Sequence, residues 1–245
     1  MRLLQMSALA SAKLVAHWVE QHLDDVTHNR AAGALLLPTG STPLPLYAEL
    51  RKRDTAGSLD LEAWRSFNLD EFWPSAAQNE ASFRVFMQRE LFGPLGLSSE
   101  KIGFLSDTIA ETDLSSHCES YEQDIAAAGG IALAIIGVGM NGHLAFNEPG
   151  AEWGSRTRLV KLSSSTRERS GFPGGLDGPS RALTVGLATI LDAKRIVVLA
   201  HGQAKSKALF EMMHGAPSLD CPATCLQEHP NVAVLADDDA CALLP

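Results

Sequence analysis

Residues 131–150 read IALAIIGVGMNGHLAFNEPG. The first eight, IALAIIGV, form a continuous apolar run of the kind found in a strand buried on both faces of a parallel sheet. The glycines that follow, Gly137, Gly139 and Gly142, satisfy the dinucleotide-binding pattern G-x-G-x-x-G. That pattern needs a helix opening at its last glycine. Here the chain continues HLAFNEPG, with Pro149 and Gly150 close behind. Nor does an acidic residue close a next strand about 20 residues on, where a ribose contact belongs. The run therefore reads as a tight turn that brings backbone amides and a polar cluster to a small ligand, and not as an NAD site. That cluster is Asn141, His143, Asn147 and Glu148.

Strands and helices alternate on either side of this run. Leu14, Val15, Trp18, Val19 and Leu23 recur at helical spacing, so MRLLQMSALASAKLVAHWVEQHL predicts an amphipathic helix. Lys13, His17 and Glu20 interrupt its apolar run, which argues against a signal peptide or a membrane span. GALLLP predicts a buried strand ending in TGST, and PLPLYAELRKR a helix with proline in its first turn. SFNLDEF predicts a second strand, NEASFRVFMQRELF a helix, KIGFL a strand, and TDLSSHCESYEQDIAAAGG a helix closed by glycine. After the central run come a strand at TRLVKLS, a loop through GFPGGLDGPSR, and a helix near VGLATILDA. The chain finishes with the strand RIVVLAHG, a helix at AKSKALFEMMHG and a last strand at NVAVLA. This order predicts an α/β fold: an open, mostly parallel Rossmann-like sheet with helices on both faces. Neither a repeat nor a linker divides it, so residues 1–245 are read as a single domain.

A net charge of −9 argues against nucleic acid or an anionic membrane as partner, and leaves a small molecule. Of the four cysteines only Cys221 and Cys225 are close in sequence, with no second pair to complete a metal set. Reduced structural thiols, no metal and a cytoplasmic location are the expectation.

In an open parallel sheet, ligands sit outside the carboxyl ends of the strands. TGST, NLDEF, GVGMNGH and HGQAK all follow strands in that way. His143 is a candidate acid/base with Glu148 to orient it. Asp70 and Glu71 are adjacent on a strand, so at most one of them points into a site. Gly40, Ser41 and Thr42 precede a helix N-terminus and suit a phosphate, although no Walker A lysine follows. Lys205 would add positive charge. Read from the residues alone, ordinary alternatives stand beside each: an exposed Asp70–Glu71 pair, loop polar residues at 143 and 148, a surface lysine at 205.

The stretches LLLPTGSTPLPLYAEL, FNLDEF, GVGMNGHLAFNEPG, SRTRLVKL, RALTVGLATILDA and CLQEHP follow one another from about residue 33 to 235. In that order and spacing the chain resembles the glucosamine-6-phosphate deaminase family, related to the 6-phosphogluconolactonases. The lactonase branch carries a Glu-Asp-Gly-His-Thr turn and lacks the Asn-Glu-Pro ending, so the resemblance favours the deaminase side. It implies a Rossmann-like fold without nucleotide. The implied reaction takes a 2-amino-2-deoxy-hexose 6-phosphate and water to the ketose 6-phosphate and ammonia, with no cofactor. Asp70 then matches the base that moves a proton between C2 and C1, and His143 the group that opens the sugar ring. Glu148 matches its supporting carboxylate, and Ser41, Thr42 and Lys205 match phosphate contacts.

Two departures alter that picture. The family's usual turn has Asp where this chain has Asn141, which supplies no negative charge, so His143 is expected to be less basic. Members that act on galactosamine 6-phosphate are similar in having Asn-Gly-His here, which leaves the epimer open. The family's phosphate-binding Arg falls where this chain reads STRERSGFPGGLDGPSR, and Arg169 is the substitute. The chain ends soon after LADDDACALLP, without the long extension of the allosteric hexameric deaminases, although Arg158 is kept. A monomer or small homo-oligomer without regulation by N-acetylglucosamine 6-phosphate is expected. A 6-phosphogluconolactonase-type hydrolase and a non-catalytic sugar-phosphate-binding protein are the alternatives.

Overall fold

The computed structural model describes residues 1–74, 82–169 and 178–245, the side chains of Ser165 and Arg169 apart. In chain order it begins with β1 (Arg2–Gln5), α1 (Ala8–Thr27), β2 (Ala34–Leu37), α2 (Leu44–Thr55) and β3 (Ser66–Asn68). Then come β4 (Asp70–Trp73), α3 (Phe83–Met87), β5 (Ile102–Gly103), α4 (Leu114–Ala127) and β6 (Ile131–Gly137). β7 (Arg158–Lys161), α5 (Ser164–Arg169), β8 (Arg181–Thr184) and α6 (Leu187–Leu191) follow. β9 (Arg195–Ala200), α7 (Ser206–His214) and β10 (Val232–Ala236) complete the order.

Seven strands form one sheet in the order β1-β10-β9-β6-β2-β3-β5, with parallel pairing throughout. The apolar runs make this possible, because successive side chains leave opposite faces and both faces are covered. Leu36, Ile136, Val198 and Val234 pack on one side with Cys118 and Tyr121 of α4 and Leu209 of α7. Leu35, Leu37, Ile135, Val197 and Leu199 pack on the other with Val15, Val19 and Leu23 of α1 and Leu46 and Leu50 of α2. From β2 the chain builds outward to β3 and β5; from β6 it builds the opposite way, to β9 and β10. The strand order thus reverses between β2 and β6, and a crevice at their carboxyl ends follows from the topology.

Several boundaries differ from the sequence expectation. The chain begins with a strand, β1, paired in parallel with β10, and the first helix starts only after Ser7, whose side chain accepts from the Ala10 N–H at 3.3 Å. SFNLDEF is two strands in different sheets. Leu69 sits at the break, its N–H donating to the Leu37 carbonyl of the large sheet and its carbonyl accepting from Val185 N–H of the small one. That small sheet is antiparallel, in the order β4-β8-β7, so TRLVKLS contributes β7 there and not to the parallel sheet. KIGFL pairs only through Ile102 and Gly103. The helix expected over 79–92 starts at Phe83 and passes at Met87 into a π-helical turn, Gln88–Phe92, its residues up to 81 lying outside the described ones. Most of the loop expected at 171–181 also lies outside them. Among the described residues no helix is long and apolar enough to cross a membrane.

Candidate functional site

A cleft of about 280 Å³ opens at the crevice between β2 and β6. The segments after four strands line it: Pro38, Thr39, Gly40 and Thr42 after β2, Leu69 and Asp70 at the β3–β4 break, Gly137–Gly139 with His143 after β6, and Lys205 after β9. The hydrophobic strand ends supply the position and the loops supply the chemistry.

Asp70 is only 7% exposed and opens β4 opposite Thr184. Burial, reinforced by the neighbouring Glu71 charge, pushes its carboxyl up to about 8. Glu71 turns the other way. Its Oε1 accepts from the N–H groups of Phe72 at 2.8 Å and Phe83 at 3.0 Å. Its Oε2 accepts from the Ser82 hydroxyl and the Arg84 N–H, both at 2.8 Å. Desolvation raises the Glu71 carboxyl while those donors pull it back. The exposed-pair alternative falls, since both carboxylates are buried and one alone lines the cleft.

The glycine run has a geometric purpose. A Cβ at Gly139 would lie 2.3–2.4 Å from three atoms of the His143 ring, so only glycine lets the imidazole lie there. Gly142 has φ +81°, and a Cβ on it would lie 2.4 Å from Cys221 Sγ. The backbone closes on itself through Gly139 N–H to His143 carbonyl at 2.9 Å and Gly142 N–H to Gly139 carbonyl at 3.0 Å. The next helix after the turn is α5, at Ser164, which is not a dinucleotide arrangement. Ala145, which also lines the cleft, holds φ +51°, a left-handed conformation that a non-glycine residue keeps only when its surroundings impose it. Asn147 imposes it from inside the protein. Its Nδ2 donates to the carbonyls of Leu144 at 2.9 Å and Val185 at 2.8 Å, while Phe146 N–H donates to Thr184 Oγ1 at 3.2 Å.

Glu148 lies behind the histidine, its Oε2 3.8 Å from His143 Nδ1. Asn141 Nδ2 donates to the same oxygen at 2.8 Å, and Asn141 Oδ1 accepts from His143 N–H at 3.3 Å. These two bonds fix the amide orientation of Asn141. Its side chain lines a second hollow behind the turn and not the cleft, and its hydrogen bonds run to Glu148 and His143.

On the anion-binding side, Gly40 takes φ +95° with open space where a Cβ would be. Thr42 and Pro43 bring the N-terminus of α2 to the cleft, where a helix end favours negative charge. Lys205 closes a 3-10 turn, Gln203–Lys205, just ahead of α7. Ser41 is exposed and does not line the cleft. Arg169 ends α5, and its side chain lies outside the described residues. Among the described residues no group of three or more His, Cys, Asp and Glu side chains is placed to hold a metal ion, and all four cysteines are free thiols.

A sequence profile of the family described as glucosamine-6-phosphate isomerases/6-phosphogluconolactonase matches residues 6–235. The chain belongs to this family. Within it, a glucosamine-6-phosphate deaminase of Beutenbergia cavernae is 42% identical over 211 residues, covering 85% of this chain and 80% of the relative. The solved structure of a monomeric glucosamine-6-phosphate deaminase superposes with a TM-score of 0.90 at 30% identity, covering 99% of this chain and all of the other. A 6-phosphogluconolactonase from Trypanosoma cruzi superposes with a TM-score of 0.79 at 17% identity, over 99% of this chain and 96% of its own, which establishes the shared family fold alone.

Ser163 and Thr166 escaped the sequence reading. Both hydroxyls donate to Glu148 Oε1, Ser163 at 3.2 Å. No local pattern marks them, since their partner lies 15 and 18 residues back along the chain.

Proposed function

We propose that this chain is a cofactor-independent deaminase/isomerase of a 2-amino-2-deoxy-hexose 6-phosphate, glucosamine 6-phosphate or galactosamine 6-phosphate. The observation that carries this reading is one cleft in which a buried carboxyl, Asp70, shares the walls with His143 and with the cationic Lys205. Aldose–ketose chemistry needs those three functions: a base near the C–H, a group that both takes and gives protons at oxygen, and an anion clamp.

In the proposed sequence, Lys205, the Gly40–Thr42 turn and the N-terminus of α2 hold the phosphate, with Arg169 as a further contact. Ser41 acts there through its backbone. His143, supported by Glu148 and Asn141, takes the O1 proton and returns one to the ring oxygen, which opens the sugar. Asp70 removes the proton from C2 and delivers it to C1, while the C2 amine gives up a proton and O1 takes one up, leaving a hydroxymethyl group at C1 and an imine at C2. Water adds to that carbon and ammonia leaves, giving the ketose. Burial pushes the Asp70 carboxyl up to about 8, and an ammonium at C2 of the incoming sugar favours the carboxylate that the reaction requires. The remote phosphate supplies binding energy that holds the reacting carbons in register.

Residues 1–245 are read as one such domain, supported by the pairing of β1 with β10, which joins both ends of the chain in one sheet. A monomer or small homo-oligomer is in line with the solved relative described as monomeric. Four free thiols accord with a reducing, cytoplasmic location, and the acidic balance with a small-molecule partner and no nucleic acid. The test is ammonia release from the purified protein, offered both amino-sugar phosphates side by side. Turnover of either supports the reading and names the epimer. Hydrolysis of 6-phosphogluconolactone without ammonia replaces it with the lactonase. Ligand-induced thermal stabilisation without product replaces it with a binding protein.

A further inference from the structure

The carboxylate behind His143 is held by more groups than its role as a support requires. Ser163 and Thr166 donate to Oε1 and Asn141 to Oε2. The Thr166 N–H in turn donates to Ser163 Oγ at 3.2 Å, and Arg167 N–H to the Ser163 carbonyl at 3.0 Å. Ser163 therefore anchors the first turn of α5 and fixes where the Thr166 hydroxyl points. The Glu148 side chain is 17% exposed, so its hydrogen bonds are partly shielded from water. His143 Nδ1, at 3.8 Å from Oε2, lies beyond hydrogen-bonding distance of that carboxylate.

We propose that Thr166, oriented by Ser163, is a positioning residue for the reaction: it draws Glu148 back from His143 and so sets how strongly the carboxylate supports the imidazole. Each donated hydrogen bond withdraws charge from the carboxylate and fixes its rotation. With the Thr166 hydroxyl removed, Oε1 keeps only the longer 3.2 Å bond from Ser163, and the carboxylate gains freedom to turn towards the imidazole, which favours the protonated ring. Among the described residues, titratable groups besides Glu148 also stand near the ring. Asp70 from β4 and Lys205 ahead of α7 line the same cleft. Cys221 packs behind Gly142, where burial raises its thiol and keeps it neutral.

The inference takes the proposed role of His143 from the preceding reading, and its test is separable from it. Thr166→Val keeps the shape and removes the hydroxyl; Thr166→Ser restores the hydroxyl. The imidazole nitrogen shifts of His143 are followed against pH in the ligand-free protein, alongside the pH profile of kcat/KM for ammonia release. Thr166→Val is expected to move both midpoints upward by about half a pH unit or more, and Thr166→Ser to return them to the wild-type position. A folded Thr166→Val with an unmoved histidine midpoint overturns the proposal. So does a Thr166→Ser that shifts as far as the valine variant, since the methyl group and not the hydroxyl would then matter. If Thr166→Val does not fold, Ser163→Ala tests the same clamp: the same upward shift supports it, and its absence overturns it. Absence of ammonia release would count against the functional reading, while the histidine titration still decides the clamp.

Discussion

The ring of His143 lies against Gly139 so closely that a single added carbon on that glycine would fall 2.3 Å from ring Cε1. A methyl group at residue 139 must therefore displace the imidazole. Gly139→Ala is expected to lower kcat/KM about 100-fold, the usual cost of moving a reacting group by roughly 1 Å, with a melting temperature within a few degrees of the wild type. Steady-state ammonia release together with a melting curve checks this. A fully active Gly139→Ala would mean that the ring can leave its seat at no cost.

Asp70→Asn removes the proposed base and keeps its size. We expect kcat to fall by about 10²–10⁴-fold while the phosphate end still binds, so that ligand-induced stabilisation survives. Loss of binding and turnover together would instead make Asp70 part of the fold.

The same substitution has a pH signature in stability. In the folded chain the Asp70 carboxyl titrates at about 8, against about 4 when unfolded. A raised acid favours the neutral form, so its contribution is complete below about pH 4 and is lost as pH climbs towards 8, at a limiting slope of about 1.4 kcal/mol per unit. Asn does not titrate. The melting temperature of Asp70→Asn relative to the wild type should thus rise between pH 5 and pH 8; a constant difference would argue against the buried, neutral acid.

Asn141→Asp would set two carboxylates where the amide now lies 2.8 Å from Glu148. Like charges at that range favour any nearby cation, so His143 should hold its proton to higher pH and the kcat/KM profile should shift upward. Superimposable profiles would show that position 141 does not act on the histidine through charge.

Lys205→Met tests the anion clamp apart from the chemistry. Losing one charge-assisted bond of about 1.5–3 kcal/mol should raise KM by about 10–100-fold and leave kcat within a few-fold. An unchanged KM would take Lys205 out of the phosphate site.

The parallel sheet was legible because β2, β6, β9 and β10 are short apolar runs punctuated by polar loops, and two-sided burial leaves that signature. The cleft was legible for the same reason, since four loops that follow such strands must meet at one edge. The three-stranded sheet was not. RALT carries no alternation, and one of its two partners, DEFW, lies far away in sequence. Leu69 as a break between sheets is a tertiary event, fixed by Leu37 and Val185, with nothing local in FNLDEF to announce it. Asn141 was read as part of the site, but its direction away from the cleft depends on Glu148 turning back beneath the turn. Ser41 and Thr42 are equivalent in sequence, yet Thr42 alone lines the cleft and Ser41 is exposed.

The end of β8 carries a consequence of its own. Thr184 pairs with Asp70, and its hydroxyl holds Phe146. Val185 grips Leu69 through its N–H and Asn147 through its carbonyl. Both sides of the cleft are thus indexed to the same two residues, which serve as a common ruler between the carboxyl and the imidazole. A substitution at either position would therefore shift the carboxyl and the imidazole relative to each other.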